Sequence, residues 1–232
     1  MANAILMAAG LGTRMLPLTK DKPKPLIDVN STPMIETVIS ALLNYDIENI
    51  YIVTGYLKEQ FNYLTQKYQN VELIENKDYR TINNISSIYY AAEVLDKSDC
   101  FICEADLYIS DRNIFKPCRN SCYYGKMVKG HSDDWVFDLD NDGYISRVGK
   151  VGDDCYNMVG LSYFNKEDAK ILSEQIRKRY NTAGFETLFW DDVVNENLDK
   201  LKLKITPVNQ NQIIEIDTVE ELLRVRKELQ GM

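Results

Sequence analysis

The chain has one histidine in 232 residues. That scarcity excludes a histidine-rich metal site, and no Ser-His-Asp set can be assembled around a single ring with conviction. His131 lies in Lys-Gly-His-Ser-Asp-Asp, a polar stretch that reads as a surface loop and not as a catalytic base. Long apolar runs are missing as well, and none approaches the span of a membrane helix. Met1-Ala2-Asn3 lacks the basic and apolar segments of a signal peptide, so a cytoplasmic protein is expected. Positive charge is scarce: 27 Lys and Arg against 35 Asp and Glu leave a net charge of −8. That balance gives no general attraction to nucleic acid or anionic membrane, and neither is expected as a partner. The five cysteines are an odd number. Cys100-x2-Cys103 with Cys118-x3-Cys122 has the outline of a four-thiolate zinc site. However, Cys100–Cys103 reads as a strand, where residues three apart face opposite sides, so free thiols are expected.

Two familiar phosphate-binding patterns are also absent. No third glycine completes a dinucleotide fingerprint, and Gly-Lys-Ser/Thr of a P-loop does not occur. What stands at the N-terminus is different. Ile5, Leu6 and Met7 form an apolar run suited to a strand buried on both faces. Ala8-Ala9-Gly10-Leu11-Gly12-Thr13-Arg14 follows at once. Glycine permits positive φ and close approach of a ligand to the backbone, and successive N–H groups in such a turn attract anions. Arg14 adds a planar fork suited to phosphate. Lys24 adds a point charge between Pro23 and Pro25, which restrict the local backbone. Together these describe a cradle for a nucleoside triphosphate.

Gly-Leu-Gly-Thr-Arg-Met-Leu-Pro-Leu-Thr followed by Pro-Lys-Pro-Leu resembles the signature of the nucleotidyltransferases that make nucleoside-diphosphate sugars and alcohols. Within that superfamily the chain is similar to the bacterial CTP:phosphocholine cytidylyltransferases of the LicC type, from the first strand to about Glu221. The resemblance implies CTP and a phosphocholine-like small molecule as partners, Mg²⁺ as cofactor, and transfer of CMP to phosphocholine with release of pyrophosphate. Close alternatives keep the chemistry with 2-aminoethylphosphonate or phosphoethanolamine. A sugar-1-phosphate nucleotidyltransferase and a catalytically silent nucleotide-binding regulator are more distant ones.

Along the chain, strands alternate with helices up to about residue 113, which implies a Rossmann-like α/β fold with a mostly parallel mixed sheet flanked by helices. Thr32-Pro33 reads as the start of a helix. Ile50–Thr54, Val71–Ile74 and Phe101–Cys103 read as strands, and Ile85 to Leu95 as a helix. Tyr123–Lys129, Trp135–Leu139 and Tyr144–Val148 read as short antiparallel strands, with turns at Asp133-Asp134 and Asn141-Asp142-Gly143. Helices are expected over Lys166–Tyr180 and about Thr187–Leu198, strands over Leu203–Pro207 and Ile213–Ile216, and a capping box at Thr218 and Glu221. One domain, 1–232, is expected, as monomer or homodimer, with a β-rich excursion at about 120–157 over the active site.

Carboxylates carry the rest of the chemistry. Transfer brings two anions together, so neutralisation and alignment do most of the work. Asp106 follows a strand within Glu-Ala-Asp, and Asp217 follows another; aspartates at the matching family positions hold the metal. Asp217 can also simply favour a helix N-terminus, and Glu104 can point to the opposite side. Catalytic residues are expected to be Arg14, Lys24 and Asp106. Nucleotide contacts are expected from Ala8, Ala9, Gly10, Gly12, Thr13, Arg14, Lys24, Asn83 and Asn84. The two asparagines can read a cytosine edge or cap the next helix. For the second substrate, Trp135, Trp190 and Asp191 offer ring faces and charge to a quaternary ammonium, with Glu186 and Tyr108 nearby.

Overall fold

Alternate residues of the first strand go to opposite sides of a sheet. In β1 (Asn3–Ala8), Ala4, Leu6 and Ala8 enter one apolar cluster and Ile5 another, the period of two that a strand imposes. The computed structural model, which describes residues 1–231, places β1 inside a seven-stranded mixed sheet. After the glycine turn comes a small hairpin, β2 (Asp28–Val29) and β3 (Thr32–Pro33), joined through Asn30 and Ser31, both at positive φ. Thr32 is held extended opposite Val29, so it does not cap a helix; α1 (Met34–Asn44) starts after Pro33 instead. Ile35, Val38, Ile39 and Leu42 of α1 cover the face that Leu6 points to.

β4 (Ile50–Thr54), α2 (Asn62–Lys67) and β5 (Val71–Glu75) follow the expected order. The helix expected from Ile85 to Leu95 breaks at Ala91 into α3 (Ile85–Tyr90) and α4 (Ala92–Leu95). β6 (Cys100–Glu104) sends Cys100 into one cluster and Cys103 into the other, so these thiols do face opposite sides. All five cysteines are free, with the Cys118 and Cys122 sulfurs 3.7 Å apart. β7 (Leu107–Ile109) is a strand the sequence pattern does not signal.

The excursion is built differently from the expectation. Its three short segments belong to two long strands, β8 (Cys122–Leu139) and β9 (Ile145–Phe164), paired antiparallel with repeated register shifts. Bulges bend a ladder without ending it, so Asp133-Asp134 lies inside β8 and is no turn. His131 is likewise on a strand, exposed between Asp133 and Asp153 at 3.2 and 2.9 Å. The turn at Asn141-Asp142-Gly143 is present: Asp140 Oδ1 accepts from the N–H groups of Asp142 and Tyr144, and Gly143 has φ 75°.

α5 (Lys166–Arg179) packs Ala169, Leu172 and Ile176 on the second face. α6 (Trp190–Asn195) is shorter than expected, because the Asp192 side chain accepts from the Phe189 N–H and starts the helix there. β10 (Lys204–Pro207) closes one edge, giving the order β10-β8-β9-β6-β1-β4-β5. β4, β5 and β6 continue the parallel set with β1, while β9 is antiparallel to β6. β11 (Ile213–Glu215) pairs with β7 in a separate two-stranded sheet. α7 (Val219–Gln230) begins with both bonds of the Thr218–Glu221 capping box. Among the described residues, no helix is long and apolar enough to cross a membrane.

Candidate active site

Parallel pairing sets the position of the site. Met7 of β1 stands opposite Glu104 of β6, so Ala8-Ala9-Gly10 and Ala105-Asp106 leave the sheet side by side at its carboxyl edge. The β7–β11 pair adds the third strand end: Leu107 faces Glu215, and the Ile216 N–H donates to the Asp106 carbonyl at 3.3 Å. Asp106 and Asp217, distant in sequence, are thereby neighbours.

Between them stands Lys24. Its Nζ is 2.6 Å from Asp106 Oδ2 and 2.6 Å from Asp217 Oδ1. Arg14 grips Asp217 through both fork nitrogens, at 2.8 and 2.6 Å. The Lys24 side chain is 9% exposed. Burial disfavours its charge, but the two carboxylates outweigh that and hold its pKa up at about 12. Gly12 sustains this packing. It sits at φ 63°, and a Cβ there would lie 3.0 Å from both Lys24 Cβ and Thr19 Cγ2.

Glu104, Asp106 and Glu215 offer ligand oxygens that all lie within 4.8 Å of one another. Burial, then the charge of Asp106, pushes Glu104 well above the usual carboxylate range and Glu215 to about 8. Asp106 Oδ1 is buried with no hydrogen-bond partner among the described residues. An orphaned carboxylate oxygen beside two further acids fits a hard cation such as Mg²⁺.

Two clefts open from this centre. The first, of about 440 Å³, is lined by all nine residues expected to meet a nucleotide: Ala8, Ala9, Gly10, Gly12, Thr13, Arg14, Lys24, Asn83 and Asn84. Tyr79 and Ser87 join them. Asn83 donates its side-chain amide to Thr187 O at 3.2 Å, and its N–H to Glu186 O at 2.8 Å. Asn84 Oδ1 accepts from the Trp190 N–H at 3.0 Å. The asparagines therefore also tie the 186–190 segment to the cleft.

The second cleft, of about 330 Å³, shares Arg14, Asn84, Glu104 and Asp217 with the first. Trp135 and Asp191 line it as expected. Trp190 does not. It is 3% exposed, stacked on Tyr123 at 5.7 Å and set edge-on to Phe164 at 6.1 Å. The ring that reaches the cleft is Phe189, edge-to-face with Trp135 at 5.3 Å. Glu186 is exposed outside both linings, and Tyr108 packs on the cluster of Met15, Ile27 and Ile216. Phe189, Lys150 and Glu215 are cleft residues that the sequence reading missed. Glu215 carried a signal, since it lies in the strand expected over Ile213–Ile216, two positions before Asp217.

Asp191 is 3% exposed and accepts from the Tyr123 hydroxyl at 2.9 Å. Burial raises its pKa from 3.8 to about 7 despite that bond. The fold thus keeps a proton that the unfolded chain releases. Stability from this group is full below about pH 4 and is lost as the pH rises to about 7. Asp191→Asn, which still accepts from Tyr123, should flatten that decline. Urea unfolding at about pH 5 and about pH 8 measures it; equal losses in variant and wild type would remove the proton from Asp191.

The model of the family described as nucleotidyl transferase matches residues 3–132, which contain the glycine turn, Lys24 and Asp106. The chain belongs to the nucleotidyl transferase family. Within it, a 2-aminoethylphosphonate cytidylyltransferase of Lancefieldella rimae is 58% identical over 221 residues, covering 95% of this chain and 90% of that protein. A choline-phosphate cytidylyltransferase of Streptococcus pneumoniae is 32% identical over 235 residues, 99% of each. The solved structure of the CTP:phosphocholine cytidylyltransferase LicC from Streptococcus pneumoniae superposes with a TM-score of 0.91 at 32% identity, covering 98% of this nucleotidyl transferase and 99% of that chain. Both lines of comparison run the length of the chain, so the excursion and α7 belong to the shared architecture as much as the glycine turn does.

Proposed function

We propose that this nucleotidyl transferase moves CMP from CTP to 2-aminoethylphosphonate, releasing pyrophosphate. The observation that carries the choice of acceptor is the lining of the second cleft. Six carboxyl groups, from Glu104, Asp133, Asp134, Asp191, Glu215 and Asp217, face only two rings, and a bound cation would favour the charged form of those whose pKa the fold raises. A primary ammonium donates three hydrogen bonds and is best served by carboxylates, whereas a trimethylammonium has none to donate and favours ring faces. With Trp190 in the core, the aromatic cage expected for phosphocholine is incomplete. The 58% identity to a 2-aminoethylphosphonate enzyme supports the same acceptor. A sugar phosphate carries no cation to match such a wall.

In this reading CTP lies in the first cleft with its phosphates against the glycine turn, Arg14 and Lys24. The acceptor's phosphonate oxygen attacks the α-phosphorus in line. A bond forms from that oxygen to phosphorus, and the bond to the bridging oxygen breaks, its electron pair leaving on pyrophosphate. Asp106, with Asp217 or with Glu104 and Glu215, would hold Mg²⁺, which would supply charge neutralisation at the phosphates. Lys24 neutralises and aligns, and no base is required, because the phosphonate already carries the attacking charge.

Phosphocholine is the second reading, favoured by the full-length match to the choline-phosphate enzyme. Pyrophosphate release with CTP and each acceptor separates the two. The kcat/KM for 2-aminoethylphosphonate should exceed that for phosphocholine by at least about tenfold, a difference of about 1.4 kcal/mol. The reverse preference would hand the site to phosphocholine.

A further inference from the structure

Lys150 is directly opposite Trp135 in the β8–β9 ladder. Its ammonium lies 5.4 Å from the Trp135 ring centre and 5.3 Å from that of Phe189. The two rings come from different elements, and the cation bridges them. Among the described residues Lys150 forms no salt bridge, although Asp133, Asp134, Asp191 and Glu215 line the same cleft. An ammonium that forgoes nearby carboxylates for two ring faces is placed by the ladder: the register sets Lys150 across from Trp135, and its methylene stem can lie on the apolar surface.

We propose that Lys150 is a specificity-determining residue, which occupies the Trp135–Phe189 face and so keeps quaternary ammonium groups out of the acceptor cleft. This rests on the reading of the second cleft as the acceptor site. The face is the one place there where a trimethylammonium finds a favourable partner, and it already holds a like charge. A primary ammonium does not need it. It can bind the carboxyl groups of Asp191 and Glu215, whose charged forms it would favour, while Lys150 stays on the rings. The discrimination therefore comes from a repulsive element as much as from an attractive one.

The test is equilibrium binding by calorimetry, with a non-hydrolysable CTP analogue present, for wild type, Lys150→Ala and Lys150→Arg. In Lys150→Ala, phosphocholine affinity should rise about tenfold relative to that for 2-aminoethylphosphonate, the size of one desolvated ring contact. Lys150→Arg, which keeps a cation on the rings, should retain the wild-type ratio. An unchanged ratio in Lys150→Ala overturns the proposal, and so does a parallel loss of both acceptors, which would mark Lys150 as a ligand of their shared phosphoryl group. If the wild type binds neither acceptor, the reading of the cleft fails and the proposal with it. If it binds both and transfers CMP to neither, only the assigned reaction fails, and the affinity ratio still decides the role of Lys150.

Discussion

Lys24→Ala should lower kcat/KM by about 10²–10³-fold, the usual cost of removing one donor aimed at developing charge in a water-poor site. The side chain is almost enclosed and contacts two carboxylates at 2.6 Å each. Its removal takes away the cation nearest both and leaves Asp106, Asp217, Glu104 and Glu215 facing one another. Breaking a fully buried pair costs about 3–5 kcal/mol. Here the carboxylates are 19% and 21% exposed, so the stability cost should fall below that range. The wild-type contribution is constant at neutral pH, because stability from a raised lysine pKa is full below its ordinary value of 10.5 and is lost only as the pH rises to about 12. In the variant the like charges should make stability recover on acidification. Steady-state pyrophosphate release and thermal melts at two pH values measure both effects. Near-normal turnover in a folded Lys24→Ala protein would remove the lysine from the phosphate cradle.

Asp106→Asn should reduce kcat by about three orders of magnitude, comparable to losing a principal source of charge stabilisation. The substitution preserves shape and removes the negative charge that Lys24 and a hard cation would share. It also places an amide beside Glu104 and Glu215, within a set of oxygens spaced for one ion. A Mg²⁺ titration of the variant should require much higher metal for its residual activity. The wild type should lose activity in EDTA and regain it on adding excess Mg²⁺. Full turnover in chelator would contradict metal assistance whatever the variant does.

Much of this centre was legible in the sequence. Ile5-Leu6-Met7 before two glycines marks a buried strand and its anion-binding turn, and the apolar run of β6 ahead of Asp106 marks a second strand end. Asp217 was harder to place, because β11 has three residues and its position depends on pairing with β7, which no local pattern announces. The neighbouring positions 189 and 190 show a different limit. Both are aromatic, and only the start of α6 decides that Trp190 turns to the core and Phe189 to the cleft. Bulges in the β8–β9 ladder hide Lys150 in the same way: each shift changes which residue stands across from Trp135, and side-chain period alone cannot count the shifts.

The two longest strands divide their labour along their length. The first four residues of β8 and the last four of β9 are buried in the sheet, where a changed side chain must fit a packed neighbour. Along their middle, Asp133, Asp134, Trp135 and Lys150 of the same two strands line the second cleft, before Val136, Phe137, Ile145 and Val148 return to the core. Substitutions in this middle stretch can thus reshape the second cleft while the buried segments on either side of it are left untouched. The fold keeps the glycine turn and Lys24 on one rigid edge and carries the second cleft as an interchangeable tool-head, mounted on a handle that is already part of the core.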